Sequence, residues 1–170
     1  MSDQSRAESG LVLLSERLTN SAAFGALFRD GMDLVEETAA YLDGNGRTEA
    51  KALERSVSLT YATESMRLTT RLMQLASWLL LHRAVKEGEM TLGQANREKT
   101  KVKLTAADPC PDEMLEKLPA RLQELVARSM TLQAKVRRLD VTIHTPASDR
   151  VTIGNPLVPQ MNMLKAAFER

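Results

Sequence analysis

The side chains able to do chemistry are few, and their spacing does not assemble a site. The chain holds two histidines and one cysteine. Histidine is the commonest metal ligand and a proton carrier near neutral pH. His82 and His144 stand in different contexts without a matching set of ligands. His82 adjoins the apolar run Leu79, Leu80 and Leu81, which fits a helix-surface or interface residue better than a metal ligand. Glu36, Glu37 and Glu64 raise the thought of a carboxylate-bridged metal centre, which in a helical bundle uses Glu-x-x-His pairs. Arg67, not His, follows Glu64 by three. Glu36 and Glu37 lie about 100° apart around a helix and do not share a face. Pairing of Glu36, Glu37 or Glu64 with Arg67 or Arg71 is simpler, because charges near a core need partners. Cys110 sits between Pro109 and Pro111 with no second cysteine and no cationic cluster beside it. A thiol becomes reactive where such charge lowers its pKa. There is no glycine-rich phosphate loop and no nucleophile elbow. The expectation is no catalytic residue, no metal, no cofactor and no enzyme.

Composition narrows the class further. The formal net charge is +1, so the chain as a whole is not built as a polyanion binder. Arg97, Lys99, Lys101 and Lys103 make its one basic concentration, with Glu98 among them and no aromatic residue to stack on bases. A solvated loop is expected there. Hydrophobic residues reach 43% and aromatics only 4%, which favours helices over sheets. A lone cysteine suits a reducing compartment. The short apolar run at 11–14 is no signal-peptide core, so a cytoplasmic location is expected, with no membrane partner.

The elements follow from breakers and periodicity. An all-α fold is expected: an antiparallel three-helix bundle, running up, down and up, with a long central helix. Residues 1–19 form a flexible N-terminal segment, 20–141 the bundle, and 142–170 a flexible tail. The first helix covers about 21–43, capped by Asn20 or Ser21 and closed at Gly44, and Gly31 within it marks a close helix approach. The second covers 48–87, which runs without Pro or Gly and starts at a Thr48 cap. Thr91 and Gln94 have the spacing of a capping box and open one short turn. The third covers 112–141, with a break or start near 119, where Pro119 either kinks the helix or serves as its first residue. Its Leu115, Leu118, Leu122, Leu125, Ser129, Leu132, Val136 and Leu139 alternate gaps of three and four, a coiled-coil-like seam.

The central helix carries three apolar stripes. Leu68, Leu72, Leu75 and Leu79 make the first, Trp78, Leu81 and Val85 the second, and Met66, Met73 and Leu80 the third. A helix that is apolar nearly all round over 72–81 has two compatible readings: it is covered by two neighbouring helices, or it also offers a self-association surface on its third side. Trp78, Leu81 and Val85 are the candidate dimer surface. The tail holds Leu157, Val158, Met161, Leu164 and Phe168, and 160–169 leaves room for a short terminal helix. Two readings of it stay open: a docking element that orders on a partner, or a tail packed back on its own bundle.

Two strings give a further lead. Residues 27–44, LFRDGMDLVEETAAYLDG, and 61–74, YATESMRLTTRLMQ, continuing through Ser77, Trp78, Leu79, Leu80 and Leu81 to Gly88 and Glu89, resemble the alphaproteobacterial family of the regulator of CtrA degradation, a domain of unknown function. The likeness covers roughly residues 20–140. It implies a homodimeric three-helix bundle without enzymatic activity. It also implies an adaptor for the ClpXP protease that acts with other adaptors and response-regulator-type proteins to deliver cell-cycle regulators as protein cargo. The competing class is a nucleic-acid- or transcription-associated helical protein using residues 97–103 with Arg137 and Arg138. Near-neutral charge counts against it.

Overall fold

The computed structural model describes residues 21–99 and 110–144. The N-terminal segment 1–19, Lys101, Lys103, and the tail residues Leu157, Val158, Met161, Leu164 and Phe168 lie outside the described residues. Six α-helices and no strand form among those that are described: α1 (Ala22–Asp43), α2 (Asn45–Ala52), α3 (Arg55–Lys86), α4 (Leu92–Lys99), α5 (Asp112–Leu115) and α6 (Ala120–His144). The expected all-α bundle is present, built on α1, α3 and α6.

Local chemistry accounts for most helix ends. The Ser21 hydroxyl accepts from the Phe24 N–H at 3.2 Å and caps α1. Gly88 takes a φ of 76°, a left-handed value that only glycine adopts freely, and closes α3. Thr91 and Gln94 exchange hydrogen bonds of 2.9 and 3.2 Å, and this reciprocal cap carries eight residues of α4 rather than one turn. Pro119 donates nothing and instead accepts from the Gln123 N–H at 3.1 Å. It therefore stands just before α6, where its missing N–H costs nothing.

Two expectations need correction. The stretch 48–87 is not one helix: Leu53 and Glu54 are extended, with ψ of 148° and 150°, and separate α2 from α3. Thr48 lies inside α2 and caps nothing. Packing imposes the break. Gly46 of α2 sits so close to Tyr61 and Tyr41 that a Cβ would fall 2.6 Å from the Tyr61 hydroxyl. The Tyr41 hydroxyl donates to Glu49 at 2.6 Å, and Leu53 packs on the core. The second correction is direction. Arg71 meets Ser129 and Trp78 meets Asp140, so α3 and α6 run parallel. Phe24 lies against Trp78 and Tyr41 comes level with Tyr61, so α1 opposes both. The order is up, down, down.

The core lies where α1, α3 and α6 meet. Leu68, Leu72, Leu75 and Leu79 are buried, as are Leu118, Leu122, Leu125, Leu132 and Val136 of the seam. Gly31 allows α1 to touch α3, since a Cβ there would stand 2.5 Å from Leu79 Cδ1. Leu125 is fully buried. Leu125→Ala should lower unfolding free energy by about 2–5 kcal/mol, measured by chemical denaturation. A change within about 0.5 kcal/mol, the surface range, would place the seam in solvent.

Candidate interaction surface

Trp78 is not on the surface. It is 1% exposed. Its indole N–H donates to Asp140 Oδ1 at 2.8 Å, and Lys99 Nζ donates to Asp140 Oδ2 at 2.6 Å. One carboxylate thus ties α3, α4 and α6 together. The Trp78 ring stacks on His82 with centroids 3.9 Å apart, and the Phe24 ring lies tilted to it with centroids 6.4 Å apart. A buried indole needs an acceptor for its N–H, and Asp140 supplies one from 62 residues away. Leu81 and Val85 are half-buried beside it. The candidate dimer surface of Trp78, Leu81 and Val85 is corrected in one member: Trp78 lies in the core of the chain.

The titratable side chains are committed to structure. His82 is buried rather than at the surface, with Nδ1 2.9 Å from the Trp78 carbonyl oxygen. Glu64 is buried and accepts from Arg67 at 2.8 Å, one of the pairings expected. Arg71 is buried too, and donates to Ser129 Oγ at 2.8 Å. Burial pulls the Arg71 pKa down, and the Glu64 charge opposes that pull. Glu37 pairs with neither Arg67 nor Arg71. It accepts from Arg121 at 2.8 Å and from both terminal nitrogens of Arg128 at 2.6 and 2.9 Å, bridging α1 to α6. Burial raises the Cys110 pKa, which keeps the thiol protonated. No group of three His, Cys, Asp or Glu able to hold a metal occurs among the described residues.

What remains outward is a face of α3. Leu59, Met66, Met73 and Leu80 fall at every seventh position and are 72%, 72%, 66% and 52% exposed. The other exposed positions between 56 and 80 are Ser56, Ala62, Thr63, Thr69 and Thr70, and the charge at the edge of the face, Arg67, is a third exposed and paired with Glu64. Its hydroxyls turn back on the helix: Thr60, Thr63, Thr69 and Ser77 donate to the carbonyls of Ser56, Leu59, Ser65 and Met73 at 2.8–3.2 Å. Their methyl and methylene groups face outward. The result is a long apolar strip of the kind that marks an interaction site. Beside it, between α1 and α3, lies a groove of about 330 Å³ lined by Val35, Thr38, Ala39, Leu42, Thr69, Leu72, Met73 and Ala76, with Asp43 at its rim. The third stripe was visible in the sequence as Met66, Met73 and Leu80. Leu59 escaped it because position 59 lies outside the dense apolar run, and only the seven-residue spacing points to it.

A family model described as a protein of unknown function, DUF1465, matches residues 15–168. The chain belongs to the DUF1465 family. Among solved structures, RcdA from Caulobacter crescentus CB15 is similar at 48% identity and a TM-score of 0.62, covering 75% of this chain and 96% of that one. No curated protein matches the chain. The resemblance to the regulator of CtrA degradation family, carried by residues 27–44 and 61–74, is borne out by RcdA. In this DUF1465 chain no helix among the described residues is long and apolar enough to cross a membrane.

The Glu37 clamp has a measurable signature. The Arg128 hydrogen bonds foremost, and the Arg121 bond after them, hold its carboxyl at about 2, below its ordinary 4.5. A depressed folded pKa stabilises the fold above the unfolded value and loses that stabilisation as pH falls through the folded one. Wild type should therefore lose more stability than Glu37→Gln as pH drops from about 4.5 towards 2. The side chain is a third exposed, so water screens the effect. Denaturation curves of both proteins across that window check this, and parallel losses would contradict it.

Proposed function

We propose that this protein is a non-enzymatic adaptor that helps deliver cell-cycle regulatory proteins to the ClpXP protease, working as a dimeric helical scaffold with a docking tail. The observation that carries the proposal is the uncharged, Leu- and Met-studded face of α3. An adaptor needs surface rather than a catalytic site, and this face supplies it. The likeness to RcdA supports the proteolytic setting.

The sequence along the face favours a second copy as its occupant. Leu59, Met66, Met73 and Leu80 read the same in both directions. A two-fold axis between Met66 and Met73 sets Leu59 against Leu80 of the other copy and Met66 against its Met73. Such an interface is self-complementary. Glu54 and Arg55 at one end then meet the Arg83–Glu87 pair at the other, so charges of both signs come together. A parallel pairing would set Arg55 against Arg55. Leu157, Val158, Met161, Leu164 and Phe168 are proposed to dock on a protease-bound partner. Each dimer presents two such tails, and avidity offsets the cost of ordering them. Nucleic-acid association fits less well, because Lys99 of the basic stretch is spent on Asp140.

Sedimentation beside a reconstituted degradation assay, with ClpXP and a purified response regulator as cargo, tests the proposal. Wild type should sediment as a dimer and accelerate degradation. Met66→Glu with Met73→Glu should give a folded monomer with impaired delivery. Removing residues 155–170 should leave the dimer and abolish delivery. A monomeric wild type, or full stimulation by both variants, would contradict the proposal.

A further inference from the structure

The helix pair α1 and α3 has two long sides. On one, α6 fills the space with buried Leu125 and Leu132. On the other, the groove of about 330 Å³ stays open between Val35, Thr38 and Leu42 of α1 and Thr69, Leu72 and Ala76 of α3. Its accessible lining is mainly apolar. An apolar trough that no element among the described residues fills is the kind of surface that takes an occupant.

We infer that the occupant is this chain's own C-terminal segment, which seats Met161, Leu164 and Phe168 in the groove when no partner holds it. The inference rests on the tail being a docking element and adds where that element resides at rest. Reach allows it. α6 ends at His144, level with the part of α3 that follows Trp78, and the groove lies two to three turns, or ~14 Å, back along the bundle and about two helix widths, or ~20 Å, across it. Leu157 comes 13 residues after His144, and that length extends to at most ~45 Å. Chemistry matches as well. Met161, Leu164 and Phe168 share a face at helical spacing, the pattern by which an amphipathic helix enters an apolar groove. Lys165 can share Asp43, the one charged residue of the lining, with Arg47, which pairs with it at 3.1 Å. A segment seated there is withdrawn from any partner, so partner binding must displace it. The apparent affinity of the tail falls by the fraction of chains in which it is seated.

The test uses the full-length chain carrying Cys110→Ser and Ala166→Cys, with a nitroxide on the new thiol. The methyl signals of Val35 and Leu42 should broaden, while those of exposed Met130 and Val141 on α6 stay sharp. Ala39→Arg, an exposed position that fills the groove, should restore the lost signals. In a mixed sample, with the nitroxide on one copy and the isotope label on another, Val35 and Leu42 should stay sharp. Broadening of Val35 and Leu42 in the mixed sample would seat the segment on a second copy and overturn the inference. Sharp groove signals, or broadening on α6, would overturn it equally. The protein is alone in these measurements, so the groove assignment can fail while delivery in the degradation assay stands.

Discussion

A helix that is apolar nearly all round must be covered on every side, and among the described residues α3 has only two long neighbours, α1 and α6. That constraint organises the molecule. Thirty-two residues of α3 give roughly 48 Å to cover. The stripe of Leu68, Leu72, Leu75 and Leu79 goes to the junction with α1 and α6. Trp78 goes inward as well, because Asp140 satisfies its N–H and Lys99 neutralises Asp140. The short α4 closes over the same end, with Ala95 buried. Once those sides are filled, the strip from Leu59 to Leu80 and the groove next to it are what no element among the described residues covers.

Polar contacts decide how the helices align rather than how strongly they adhere. Ser129 interrupts the leucine seam of α6 at the level of Arg71, and the small side chain makes room for the guanidinium. Breaking such a buried contact strands a charge, so a shifted register is costly even though the contact adds little net stability. Glu37, grasped by Arg121 and Arg128, sets α1 against α6 in the same way from the surface. Together these contacts hold α6 parallel to α3, which the hydrophobic pattern alone does not dictate.

Local features of the fold were legible in the sequence. The three-four seam of α6, the Ser21 cap, the Thr91–Gln94 box and the close approach at Gly31 each act through neighbours or through a single periodic face. Features that depend on distant partners were not legible. The break at Leu53 and Glu54 has no glycine or proline to mark it, and comes from Tyr41 and Tyr61 packing around Gly46. The inward turn of Trp78 depends on Asp140, and the direction of α6 on Arg71 finding Ser129. The exposed apolar face was half legible: its methionines stood out, but the tryptophan beside them drew the expectation to a stripe whose aromatic member is buried. Aromatic residues are enriched at interfaces, and a buried acceptor was enough to reverse that preference here.

The central claim is that the Leu59–Leu80 face of α3 meets the same face of a second copy in antiparallel register. Cysteine cross-linking in a Cys110→Ser background reports it directly, since a disulfide forms only where Cα atoms approach within about 7 Å. Chains carrying Leu59→Cys and chains carrying Leu80→Cys should form a mixed disulfide dimer on mild oxidation, and neither should cross-link efficiently to itself. Self-cross-linking of Leu59→Cys would show a parallel pairing. Absence of any cross-link in the mixture would show that this face does not join two copies.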